Sequence, residues 1–402
     1  MPPATGVVTE LGHPFVVARW RRLLCQLQGG AGCAGAGACG GAGLGSDLIF
    51  EDQLGARNAY ADTNAARGGR GALGFQSDIE RHAANFSGAL IGTEQGYDRL
   101  APHVFGFFGN NLEKTGDAAA GYPWSGGNWT PFPAALALFG PSLLYHVHNL
   151  ATAAFARDVP NACWALATGA RLSIDGAALA RAAPPARTFA AGVAHLQAVV
   201  ASQWTGYALE DYVDLRPGGR AALVGQGATL TILAAPAALA AAPIYAGASP
   251  RYFIETNWED ASPRAVAARG SAFSAVLPPR GCVAYGSELD VLGGWFAAYN
   301  GRELSGAAPH AVVEDRACAA HGTGAVCVWH AGDDTLLDVL APRACAPGAA
   351  PACAAWDAPR GAAIGAVPCA LRAGLVTLAV NASIAGRAVG YFSIACGGEL
   401  NI

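Results

Sequence analysis

Two short stretches set carboxylates directly behind apolar runs. In "DLIFEDQLGAR" (47–57) the acids Glu51 and Asp52 follow Leu48, Ile49 and Phe50, and in "ALIGTEQGYDRLAP" (89–102) Glu94 follows a similar run, with Asp98 and Arg99 behind it. Strand alternation separates Glu51 from Asp52, so only one of that pair can face a cleft together with its neighbours. Acids delivered by successive strand ends can meet, and such a pair is what glycoside hydrolysis uses. One carboxylate attacks or stabilises an oxocarbenium-like centre while a protonated partner serves the leaving oxygen. A third stretch, "LLYHVHNLA" (143–151), sets His146 and His148 two apart, on one face of a strand. An HxH pair can bind zinc, but no acid follows before Asp158; His148 and Asn149 suit sugar hydroxyls better. The aromatic loop "YPWSGGNWTPF" (122–132) offers either a stacking platform for sugar faces or a local apolar core.

Positioning these residues requires strands that end where the polar residues begin. From 46 to about 205 the chain alternates apolar runs with helical spacing: strands are predicted at 47–52, 89–94, 142–147 and 171–175, and helices at 75–85, 160–169 and 187–202. The pattern predicts βα units, with chemistry at the C-terminal strand ends of a (β/α) TIM-type barrel. A full barrel needs roughly 250 residues, so the expectation is a partial one. After about 206 short β-type runs dominate, at 229–233, 252–255, 325–329, 375–380 and 388–394, predicting a C-terminal antiparallel β-sandwich region. The expected fold class is therefore α/β plus all-β. Its parts are an N-terminal helix remnant with a Gly/Ala-rich segment (1–45), a catalytic part-barrel (46–205) and a cysteine-containing β-rich region (206–402).

Composition narrows the function. The formal net charge is -4, and the only lysine, Lys114, stands among 25 basic residues without a basic cluster. That argues against nucleic acid as a partner, because phosphate neutralisation needs grouped cations. No stretch of about 18 strongly apolar residues predicts a membrane span. No P-loop, GxSxG elbow or strand-borne GxGxxG occurs, so no nucleotide cofactor or other cofactor is expected, and no metal site is assigned. Seven of the 11 cysteines follow residue 281 at spacings that suit disulfide-closed loops. With Asn-x-Ser/Thr triplets at Asn85, Asn128 and Asn381, they predict an extracellular or secretory-lumen location. The first 25 residues lack an apolar leader run, which predicts an intracellular chain or a start upstream of Met1.

The segments "FEDQLGAR", "TEQGYDRLA" and "YHVHNLA", in this order, resemble the later strands of glycoside-hydrolase-type barrels. The likeness is to a bacterial family built around an uncharacterised domain with a YxDQ-type motif on strand four. The order is also similar to that of α-retaining glycosidases of the α-amylase and endo-α-N-acetylgalactosaminidase type. The resemblance spans roughly 46 to 205 and continues more weakly through 275–286 and 295–306. It implies Asp52 as nucleophile, Glu94 as acid/base, His148 and Asn149 beside the sugar, and Gln53, Arg57, Asp98 and Arg99 as substrate contacts. It departs from the pattern where Asn149 replaces an acid and where the first three strands are missing. The function so implied is retaining hydrolysis of an oligo- or polysaccharide. The alternatives are a non-catalytic carbohydrate-binding or structural protein on a degenerate barrel scaffold and, more weakly, a metal-dependent hydrolase using the HxH pair.

Overall fold

A computed structural model of the chain describes residues 18–19, 48–51, 71–85, 90–94, 96, 99–110, 134–140, 142–147, 155–172, 184–215, 227–235, 249–259, 261–268, 272–304, 306, 309–318, 324–346, 348–357 and 361–396. The chain divides into two compact units, Met1–Asn111 with Ser142–His146, and Leu112–Pro141 with Val147–Ile402.

The first unit contains β1 (Leu48–Glu51), α1 (Gly71–Asn85), β2 (Leu90–Glu94), β3 (Gly106–Asn110) and β4 (Leu144–Val147, its last residue counted with the second unit). They form one open sheet in the order β1-β2-β3-β4. The β1–β2 and β2–β3 pairs are parallel. Leu144 N–H donates to the Phe105 carbonyl at 2.9 Å, and Phe108 stacks on His146, so β3 and β4 advance in step. Helix α1 supplies the crossover a parallel pair requires and buries Asp78, Ile79, His82 and Ala83.

The described helices of the second unit include α2 (Ala134–Phe139), α3 (Phe155–Ala167) and α4 (Pro184–His195), which runs into a π turn at Leu196–Ala201. Its strands are β5 (Ala208–Asp214), β6 (Ala228–Ala234), β7 (Arg251–Asn257), β8 (Arg264–Ala267), β9 (Ser274–Leu277), β10 (Cys282–Gly286) and β11 (Val291–Phe296). The chain continues through β12 (Ala298–Tyr299), β13 (Arg302–Glu303), β14 (His310–Asp315), β15 (Val326–Ala331), β16 (Thr335–Leu340) and β17 (Pro351–Asp357). The last are β18 (Ala362–Ala366), β19 (Cys369–Arg372), β20 (Leu375–Val380), β21 (Ser383–Ile384), β22 (Arg387–Ala388) and β23 (Tyr391–Cys396).

Ten of these strands form a sheet in the order β18-β17-β23-β15-β14-β11-β10-β7-β6-β5, and two smaller sheets run β13-β12-β9-β8 and β16-β20-β19. Period-2 alternation gives the large sheet two apolar faces. One presents Val283, Leu292, Phe296, Val312, Val328, Phe392 and Ile394 to Leu277 and Tyr299 of one small sheet and to Leu337, Val376 and Leu378 of the other. The opposite face receives the helices. Gly192 of α4 comes so close that a Cβ there would lie 2.6 Å from that of Ala311, while Leu196 and Val200 cover Gly293. Cys163 of α3 is joined to Cys282 of β10, fixing the helical layer to the sheet. Three further disulfides, Cys318–Cys327, Cys345–Cys396 and Cys353–Cys369, staple the sandwich. The four bridges among the described residues are consistent with an extracellular or secretory location. Among the described residues no helix is long and apolar enough to cross a membrane.

The part-barrel expected over 46–205 is corrected by this architecture. The protein is mostly β-sheet, with several antiparallel sheets and, among the described residues, no closed barrel. The apolar stripes of α3 and α4, expected to pad a parallel barrel, are buried against β7, β14 and β15 of the antiparallel sheet. Of the strand expected at 171–175, Arg171 forms an isolated β-bridge, and residues 173–175 lie outside the described residues. Arg171 reaches the Ala201 carbonyl and donates to Thr205 Oγ1 at 2.6 Å, and Leu172 N–H donates to Gln197 Oε1 at 2.8 Å, which ties this segment to the π turn and the residues after it.

Three two-residue hairpins carry left-handed residues at both loop positions. These are Asn300 (φ 47°) with Gly301 (φ 82°), Ala373 (48°) with Gly374 (80°), and Ala385 (51°) with Gly386 (76°). Asn tolerates that region, whereas alanine pays roughly 1–2 kcal/mol there. Ala373→Asn and Ala385→Asn, both at exposed turns, are each expected to raise stability by up to about 1 kcal/mol in urea unfolding. A loss of stability in both variants would contradict the turn assignment.

Candidate functional site

In β2, alternation places Leu90, Gly92 and Glu94 on one face and Ile91 and Thr93 on the other. Ile91 and Thr93 are buried, whereas Leu90 is 54% exposed and Glu94 is half-buried. Register brings Phe50 opposite Gly92, and Gly92 opposite Gly106. It also brings Glu94 opposite Phe108. Pairing therefore sets Phe50, Gly92, Gly106, Glu94 and Phe108 on one face, where the two glycines are buried and Phe50 is half exposed.

The glycines explain how that ring lies. A Cβ on Gly92 would sit 2.6 Å from Phe108 Cε2 and 2.9 Å from Phe105 Cε1, and one on Gly106 would sit 3.0 Å from the same Phe108 atom. Phe108 thus leans across the sheet floor. Phe50 meets it edge-on, with centroids 5.6 Å apart at 88°, and His146 stacks on it at 4.6 Å and 13°. Phe50 is 49% exposed. On the opposite face Phe107 is buried against Gly96, where a Cβ would come within 2.1 Å of its ring, which accounts for the glycine in "TEQGYD". Burial raises the Tyr145 hydroxyl above its ordinary range.

Of the predicted residues, Glu94 and His146 lie on this sheet: Glu94 is the register partner of Phe108, and His146 stacks on the Phe108 ring. Arg99 forms an ion pair with Glu80 of α1 at 2.8 Å, with its own side chain 46% exposed, so it ties the segment after β2 to the helix. Asp52, Gln53, Arg57, Asp98, His148 and Asn149 lie outside the described residues, as does the aromatic loop 122–132. The last residue of β1, Glu51, pairs with Thr93, the residue before Glu94. Phe50, Phe105 and Phe108 were missed by the sequence reading. The available signal was glycine alternating with phenylalanine in "FGFFGN" (105–110) and the glycine inside "LIGTE", since a glycine within a strand marks close approach.

Two polar clusters of the second unit are satisfied internally. Glu314, only 1% exposed, accepts from the Tyr299 hydroxyl at 2.6 Å and from Arg316 at 3.2 Å. Ser249 donates to Asp290 at 2.5 Å and accepts from the Glu288 N–H at 2.9 Å, locking a turn. Among the described residues no group of three or more His, Cys, Asp or Glu converges as metal ligands. Chemically, this face of the first unit carries apolar rings, an acid and an imidazole on neighbouring strands. Comparison with protein-family models, with curated proteins and with solved structures gave no match to this chain.

Proposed function

We propose that the protein is a carbohydrate-binding protein whose ligand lies on the Phe50–Phe108–His146 surface, with Glu94 accepting hydrogen bonds from sugar hydroxyls. The observation that carries this reading is the register that sets Glu94 directly opposite Phe108 on a face where Phe50 and Leu90 stay about half exposed. A pyranose has an apolar C–H face that stacks on rings and a rim of hydroxyls that a carboxylate can hold, so one surface meets both demands. Binding of an oligosaccharide panel, read by isothermal titration, is expected to weaken at least 10-fold in Phe108→Ala, about 1.4 kcal/mol. Glu94→Gln is expected to weaken it by a similar amount, since a charge-assisted hydrogen bond contributes roughly 1.5–3 kcal/mol. Equal affinity in both variants would sink the assignment.

Hydrolysis is the second reading, favoured by the β1–β2 register that ends two acid-bearing strands side by side. Under it, Asp52 and Glu94 act as nucleophile and acid/base. Turnover of aryl α- or β-glycosides, lost in Asp52→Asn and in Glu94→Gln, would support it; a wild-type protein that binds sugars without turnover leaves binding alone.

A further inference from the structure

Strand β20 alternates in burial: Val376, Leu378 and Val380 are fully buried, while Leu375, Thr377 and Ala379 are half-buried, with Leu375 packed at the edge of the core. The next position in that alternation is Asn381, the first residue of an Asn-Ala-Ser triplet. Ala382 and Ser383 are exposed and lead into the β21–β22 hairpin. The backbone is held there by Ala382 N–H, which donates to Asp334 Oδ1 at 2.8 Å. Among the described residues the Asn381 carboxamide holds no hydrogen bond. Leu336, the cross-strand partner of Ala379 on this outer face, is 47% exposed.

We propose that Asn381 carries an N-linked glycan and that its first sugars cover the outer face of β16 and β20 at Leu336. The triplet supplies the acceptor, the four disulfides fit the compartment where such acceptors are modified, and the outward turn leaves room for a bulky group without disturbing the core. In the reaction the Asn381 amide nitrogen attacks the anomeric carbon of a lipid-pyrophosphate-linked oligosaccharide. A C–N bond forms, the C–O bond to phosphate breaks, the lipid pyrophosphate leaves with the electron pair, and the amide loses one proton.

The test is mass analysis of the full chain, secreted from eukaryotic cells behind a cleavable leader and treated with peptide-N-glycosidase in heavy-oxygen water. The peptide containing Asn381 is expected to carry a glycan and to return as labelled aspartate. Asn381→Gln and Ser383→Ala lose the modification, and Ser383→Thr keeps it. Recovery of that peptide wholly unmodified from disulfide-bonded secreted protein would overturn the proposal, whatever happens at Asn85 and Asn128. The covering role predicts higher binding of an apolar dye by Asn381→Gln than by the glycosylated protein, and equal dye binding would overturn that part.

Discussion

Removing the Cys163–Cys282 bridge by paired alanine substitution is expected to cost the second unit about 5 kcal/mol. The bridge spans 119 residues, and the chain-entropy relation for a loop of that length gives about 4.9 kcal/mol of freedom returned to the unfolded state. No other described disulfide lies within that loop, and both cysteines are fully buried between α3 and β10. The same relation gives only about 2.6 kcal/mol for Cys318–Cys327, separated by 9 residues. Urea unfolding of the two double variants should therefore show the long-range bridge costing nearly twice as much as the short one. A loss below about 1 kcal/mol for Cys163→Ala/Cys282→Ala would mean that the helical layer is held to the sheet by packing alone.

Mild acid is expected to destabilise the second unit steeply. Burial pulls His195 down to about 4. It pulls His330 down to about 3, with His310 adding to the effect and Asp334 opposing it. His195 packs on Trp329, and His330 Nε2 lies 2.9 Å from His310 Nδ1. An unfolded histidine titrates near 6.5. Above that value neither state is protonated and the stabilising contribution is full. Between about pH 6.5 and 4 the unfolded chain holds two protons that the folded unit refuses, so stability falls as pH falls, at up to about 2.7 kcal/mol per pH unit. Asp315 works in the opposite sense. Burial, reinforced by Asp290 and opposed by the Ala317 N–H, raises its carboxyl, so its contribution favours the folded state as pH drops. Urea unfolding at pH 7 and pH 5 should show the fall, and His195→Phe should remove close to half of the slope. Stability that holds level between those pH values in both proteins would contradict the buried neutral histidines.

The sequence showed the elements more clearly than the architecture that uses them. The strand expected at 375–380 coincides with β20, because Val376, Leu378 and Val380 alternate with half-buried residues along its whole length. The helix expected at 187–202 overlaps α4 and its π turn, with Val193, Leu196 and Val200 buried as the 3.6-residue spacing requires. What the spacing could not say is which surface those residues meet. An amphipathic helix reads the same whether it pads a parallel barrel or an antiparallel sheet, and that ambiguity produced the barrel expectation. The strands at 48–51 and 90–94 were legible from apolar runs ended by acids, which put Glu94 on the page. Phe108 was not legible, because its role depends on lying over Gly92 and Gly106, residues on two different strands brought together only by register.

Saturation-transfer NMR with an oligosaccharide panel and the full chain tests the central claim most directly, since it reports which sugar protons touch protein. The account predicts transfer concentrated on the C–H protons of one pyranose face, abolished in Phe108→Ala while circular dichroism is unchanged. Transfer to no sugar of the panel, or transfer that survives Phe108→Ala undiminished, would contradict it.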